Sequence, residues 1–66
     1  MTVKEKLLFF VAHGIAIKYV AERMHVNPST LSKWLSGNKG ITHKNEEKLN
    51  ATLQEIAKEF ATLMGV

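Results

Sequence analysis

Five side chains in one short stretch have the chemistry of a recognition surface. Asn27, Ser29, Ser32, Lys33 and Ser36 fall within NPSTLSKWLS, on a face that the apolar spacing of Leu31, Trp34 and Leu35 does not need. Serine hydroxyls donate and accept, a carboxamide does both, and an ammonium only donates. Such a face can hydrogen-bond a polar partner, but it contains no nucleophile set against a base. The other chemistry-bearing residues point the same way. His13, His25 and His43 share no ligand spacing and cysteine is absent, so no metal site is expected. Glu46, Glu47, Glu55 and Glu59 could be imagined as paired carboxylates. They fit better as the solvent face of a helix, with Glu55 and Lys58 at i,i+3 and Glu55 and Glu59 on the same strip. No catalytic residue and no cofactor is expected, because a chain of 66 residues can hardly enclose a reaction site.

Charge adds a direction to this chemistry. The net charge is +3, and its distribution says more than its size. Residues 1–44 hold seven Lys/Arg and two Glu, whereas residues 45–66 hold two Lys and four Glu. The basic part contains the hydrogen-bonding stretch. A positive surface there favours a polyanion, since neutralising phosphates releases counterions; ordinary solubilising charge would give the same composition. A chain this short buries only about 60% of its unfolded surface, so it must be helical, stapled or oligomeric to be stable. The lack of cysteine fits a reducing compartment. The longest apolar run, Leu7 to Ala12, follows Lys4 and Lys6 but is too short for a membrane span or an export signal. It is read as a core helix.

The elements that must position the five side chains are all helical. Period-2 alternation is absent, and the glycines cut the chain into segments, which predicts an all-α bundle of four or five helices in a single domain over residues 1–66. The first segment spans about Val3 to His13, with Thr2 as cap and Glu5 completing a capping box. Val3, Leu7, Phe10 and Val11 make its core stripe, widened by Leu8 and Phe9, and Gly14 suits the left-handed position that ends it. The second spans about Ile17 to Met24, with Val20, Ala21 and Met24 inward and Lys18, Glu22 and Arg23 toward water. His25-Val26 is a turn. The third opens at Asn27-Pro28, an excellent cap followed by a favoured first helical residue, and Gly37 ends it. After a basic loop, Thr42 caps a fourth segment from about His43 to Met64. Leu49, Leu53, Ile56, Phe60 and Leu63 form its stripe, and Asn50 and Thr52, as middling helix formers, leave a bend near Asn50 open.

Two short helices joined by a tight turn, the second strongly capped, meet the physical requirement for a helix-turn-helix. Ala21 lets the pair approach, Val26 plugs the turn, and Leu31 and Trp34 anchor the second helix; at that spacing Trp34 is core rather than a base-stacking residue. The stretch resembles the helix-turn-helix of the lambda-repressor/Cro-like family of small DNA-binding proteins. That family has a small residue in the first helix, a glycine or similar in the turn four residues later, an apolar residue after it and apolar anchors beyond. These positions fall on Ala21, His25, Val26, Leu31 and Trp34, and the family's Leu-Ser-x-Trp-x-x-Gly ending matches Leu31, Ser32, Trp34 and Gly37. The resemblance covers roughly Leu7 to Leu53. It departs at His25, where glycine is usual, and at Ile17, where a phosphate-contacting Gln is common.

The resemblance implies that the third segment is the recognition helix. Ser29, Ser32 and Lys33 are then the base-reading residues, flanked by Asn27 and Ser36. Lys33 would donate to guanine O6/N7, and Asn27 would pair with adenine if its cap role leaves it free. Serines discriminate weakly, so DNA shape would carry part of the specificity. Lys18, Asn38, Lys39, His43 and Lys44 are the implied phosphate contacts, helped by backbone N–H groups at the start of the fourth segment. The C-terminal stripe has two readings. It can simply close the core against Leu7, Phe10 and Leu31. Alternatively, because three short helices cannot cover about 33 Å of helix, its end at Ile56, Phe60, Leu63 and Met64 meets a second copy. The second is preferred, since a homodimer supplies the two half-sites such readers use.

The expectation is therefore a small, non-enzymatic, sequence-specific DNA-binding transcriptional regulator, a Cro-like repressor from a phage or mobile element. It would bind double-stranded DNA at an inverted repeat in the cytoplasm of a bacterium or phage-infected host, with no sensor domain, no small-molecule ligand and no membrane contact. Two rivals stand beside it. One keeps DNA but changes the role, to an antitoxin-like or excision-type accessory factor. The other is a protein-interaction or inhibitor module on the same scaffold; the small polar face of the third segment argues against it, because protein interfaces favour Tyr, Trp, Met and Arg anchors.

Overall fold

A computed structural model describes residues 2–38 and 40–65. Among these the chain forms four helices and no strand: α1 (Val3–Ala12), α2 (Ile17–Met24), α3 (Pro28–Leu35) and α4 (His43–Met64). The fold is all-α, as the spacing of apolar residues predicts. Short-range cap chemistry sets most of the boundaries. The Glu5 N–H donates to Thr2 Oγ1 at 3.1 Å while the Thr2 N–H donates to Glu5 Oε1 at 2.9 Å, a reciprocal capping box. Asn27 caps α3 through the Ser29 N–H, and Thr42 caps α4 through the Asn45 N–H. Ala16 caps α2 with no side-chain bond.

The first three helices end alike. The Ile15 N–H reaches the Phe10 carbonyl, the Val26 N–H that of Ala21 and the Asn38 N–H that of Lys33. Each bond closes over one left-handed residue: Gly14 (φ 94°), His25 (φ 61°) and Gly37 (φ 82°). This is the Schellman arrangement. For α1 it places the end at Ala12, one residue before the expected His13. At His25 it confirms a left-handed turn in a residue that has a Cβ. Such a conformation costs an L-residue about 1 kcal/mol, a penalty that His tolerates better than most.

Packing is organised along α4, on which α1 and α2 both lie, while α3 packs on α2. The core is Leu7 of α1, Val20, Ala21 and Met24 of α2, Leu31 of α3, and Leu49, Leu53 and Ile56 of α4, with Trp34, Leu35, Val26 and Phe10 packed against it. Lys6 Nζ donates to Asn50 Oδ1 at 2.8 Å, tying α1 to the middle of α4. α4 runs unbroken through Asn50 for 22 residues, about 33 Å. It gives the molecule its long axis of 40 Å against 23 and 22 Å across.

Two expectations about the core are corrected. Leu8 and Phe9 do not widen the α1 stripe: they are 48% and 54% exposed. In the run LLFFV every position is apolar, so composition cannot tell the inward residues from the outward ones. Ile56, expected at the end that meets a second copy, is fully buried. The helices packed on α4 reach one turn further along it than its length suggested.

Candidate nucleic-acid interface

The α2–turn–α3 unit is assembled from inside. Ala21 is fully buried with Val20 and Met24 on one helix, and Leu31 is the only fully buried side chain of α3 among the described residues. Burying one leucine contributes about 1.5–3 kcal/mol, so Leu31 is the principal anchor of α3, assisted by the half-buried Trp34 and Leu35. Lys4 Nζ lies 5.8 Å from the centre of the Trp34 ring, a cation–π contact that keeps one ring face occupied. What α3 turns outward is Ser29, Ser32, Lys33 and Ser36, all exposed, with Asn27 exposed at the cap.

These five side chains are not equally free. Asn27 Oδ1 accepts from both the N–H and the Oγ of Ser29, each at 2.9 Å. Bidentate pairing with adenine needs that same oxygen, so such a contact competes with the cap. Ser29 has its hydroxyl proton committed to Asn27 and keeps only its lone pairs. Ser36 is in the same position, donating to the Lys33 carbonyl at 2.9 Å. Ser32 and Lys33 have no side-chain hydrogen bond among the described residues, and both are exposed. Lys33 also lies in the last turn of α3, where a cation complements the helix dipole.

The expected phosphate contacts are spread over three elements. Lys18 is exposed in the first turn of α2, Asn38 just after α3, and His43 and Lys44 at the start of α4; Lys39 lies outside the described residues. Asn38 is held against α3 by its N–H bond to the Lys33 carbonyl at 2.9 Å. His43 is already engaged, with Nε2 2.8 Å from Glu47 Oε1 one turn on. Lys18 and Lys44 have no ion-pair partner among the described residues.

The main electrostatic feature joins α2 to α4 and was not legible in the spacing. Arg23, expected to face water, grips Glu59 with both nitrogens at 2.7 and 2.6 Å, and Glu55 lies 3.5 Å away. Arg23 also donates to the Tyr19 hydroxyl at 3.0 Å. The hydrogen bonds from Arg23 hold the Glu59 carboxyl below the ordinary carboxylate range, and those to Glu59 and Tyr19 hold Arg23 even more firmly protonated. Glu55 and Glu59 are thus the counter-ions of the helix-turn-helix rather than a simple solvent strip. Of the residues expected to meet a second copy, Phe60, Leu63 and Met64 are exposed, unlike Ile56. Among the described residues no helix is long and apolar enough to cross a membrane, and no three His, Asp or Glu side chains gather as metal ligands.

Taken together, the arrangement is an all-α scaffold that presents the polar outer face of a capped helix. Comparison with protein families, with characterised proteins and with solved structures finds no match to this chain.

Proposed function

We propose that this protein is a sequence-specific DNA-binding regulator that inserts α3 into the major groove. It would act as a small repressor of the Cro-like kind, a homodimer on an inverted-repeat operator. The observation that supports this best is the division of α3 into two faces. Leu31, Trp34 and Leu35 turn inward, and Ser29, Ser32, Lys33 and Ser36 turn outward beside a tightly packed α2. A helix held this way by its partner can lay its outer face against base edges. Ser32 and Lys33, the two without intramolecular partners, are the proposed base readers. Asn27, Ser29 and Ser36 support them, and Lys18, Asn38 and Lys44 contact phosphates. His43 would join them by leaving Glu47.

Selection of bound duplexes from a random pool tests the reading. A two-fold symmetric consensus is the expected result, and a pool that shows no enrichment rejects it. One observation favours a second reading, the interaction module. An apolar surface lies open on α1 and the end of α4, where Phe9, Phe60, Leu63 and Met64 are 43–84% exposed. A chain that binds a protein partner and ignores duplex DNA would support that reading instead.

A further inference from the structure

Beyond Ile56, α4 carries its inward stripe on without cover. Phe60 and Leu63 follow the same helical spacing as Leu49, Leu53 and Ile56, yet both are exposed, and Met64 is more so. Beside this ridge lies a recess of about 280 Å³, lined by Phe9, Phe10, His13 and Ile15 on one side and Ala57 and Phe60 on the other. Ala57, Phe60, Ala61 and Met64 stand at i, i+3, i+4 and i+7, one face of a helix, and none is charged. The two alanines leave room for another helix to approach closely, since interaxial distance follows side-chain size at the contact. The other flank of α4 differs. It carries Glu55, Lys58, Glu59 and Thr62, with Leu63 at its edge, and Arg23 closes over Glu59.

We infer that the apolar strip is a homodimer interface in which the projecting end of each α4 lies in the α1–α4 recess of the other copy. It rests on the dimeric part of the reading above, not on DNA recognition. The ridge and the recess lie side by side on one chain. That is the requirement of a two-fold interface, where each copy gives the element that it also receives. The area is sufficient. Phe9, Phe60, Leu63 and Met64 are 54%, 43%, 71% and 84% exposed. At roughly 200 Å² per large side chain, complete cover of all four, Leu63 at the charged edge included, removes about 1,000 Å² over two copies, the least that a specific interface buries. The strip also suits an apolar partner in its polar detail. Its one ring with hydrogen-bonding nitrogens, His13, is stacked on Phe9 at 4.2 Å, with Nδ1 2.8 Å from the Phe9 carbonyl. Part of the interface therefore comes from α1, which the C-terminal stripe alone does not reveal.

Analytical ultracentrifugation of the full chain without DNA, from micromolar to millimolar, tests this. A monomer–dimer equilibrium is expected. Ala61→Arg, at an exposed helical position, should raise the dimer dissociation constant at least about tenfold, and Phe9→Lys on the other helix should do the same. Leu8→Lys, equally exposed but outside the recess, should leave it unchanged; circular dichroism establishes that each variant is folded. A chain that stays monomeric throughout overturns the proposal, as does a dimer indifferent to both Ala61→Arg and Phe9→Lys, or one weakened as much by Leu8→Lys. A monomer that still selects one duplex sequence removes the dimer and keeps DNA reading. A dimer that responds as expected but selects no sequence does the reverse.

Discussion

The outer face of α3 and the strip shared by α1 and α4 are both uncovered, and their chemistries are opposite. The α3 face is small, polar and basic, and three of its five side chains already serve the caps of their own helix. The strip is largely aromatic and aliphatic, with no Lys, Arg, Asp or Glu in its recess. A polar face tolerates water and needs no partner to be stable, so its exposure says little by itself. An apolar strip of this size on a chain of 66 residues loses free energy to water until it is covered. On the proposed reading the difference separates two tasks: α3 would meet a hydrated, charged partner that comes and goes, and the strip a lasting partner of like polarity.

The largest way to break the comparison is to detach α3. Leu31→Ala removes the one fully buried side chain of that helix among the described residues and should lower unfolding stability by about 2–5 kcal/mol. That is a large share of the total for a domain this small. Denaturant unfolding measures it, and a loss under about 1 kcal/mol would show that Trp34 and Leu35 suffice to hold α3.

Next come substitutions that leave the fold alone. Lys33→Ala should relax preference at one base position of each half-site by about 1–3 kcal/mol. Lys18→Ala should instead weaken all sequences alike and reduce the salt slope by about 0.9. If both variants behaved alike, Lys33 would be a phosphate contact and the α3 face would read shape rather than bases. Asn27 sharpens the same face. Asn27→Ala should cost about 1 kcal/mol through loss of the cap. Asn27→Ser keeps a capping oxygen and removes the amide. Normal stability with a changed base preference in Asn27→Ser would make Asn27 a reader as well as a cap.

How these surfaces arise was legible in the chain to different depths. Thr2, Asn27 and Thr42 act through bonds two or three residues long, so the starts of α1, α3 and α4 could be placed from local chemistry. The inward sets Val20, Ala21, Met24 and Leu31 follow from spacing alone. What the spacing could not supply is how far each neighbour extends. The stripe Leu49–Leu53–Ile56–Phe60–Leu63 is uniform in sequence, but only tertiary packing divides it between the buried Ile56 and the exposed Phe60. The bond from Arg23 to Glu59 spans 36 residues, beyond any local pattern. Phe9 needed the register of α1 on α4, shown by Lys6 against Asn50, before it could be placed in the strip. For the α3 face, spacing located all five candidates but not which of them the caps had already engaged.

A smaller effect concerns the turn that sets the angle between α2 and α3. His25 is left-handed at φ 61°. His25→Gly should remove about 1 kcal/mol of backbone strain, offset in part by the greater freedom of glycine in the unfolded chain. A net gain of about 0.5 kcal/mol in unfolding stability is expected, whereas His25→Val should destabilise. A loss on His25→Gly would mean that the imidazole makes a contact worth more than the strain.

The smallest effect tests the joint between the two surfaces. Arg23 belongs to the helix-turn-helix, and Glu59 lies on α4 one residue before Phe60 of the strip. Because the Arg23 hydrogen bonds depress the folded-state pKa of Glu59, the pair stabilises the fold above the unfolded glutamate value of about 4.3. That contribution is lost as pH falls through the lower, folded value. Glu59→Gln should therefore be less stable than the parent at neutral pH, and the two should converge as pH drops below about 4. Glu5 is also depressed, first by its hydrogen bond to the Thr2 backbone, so both proteins keep some acid sensitivity. The pair lies at the surface, so high salt should narrow the neutral-pH difference too. Thermal unfolding across pH and salt measures both trends. A difference that persists at low pH would assign the role of Glu59 to packing against α2 rather than to its charge.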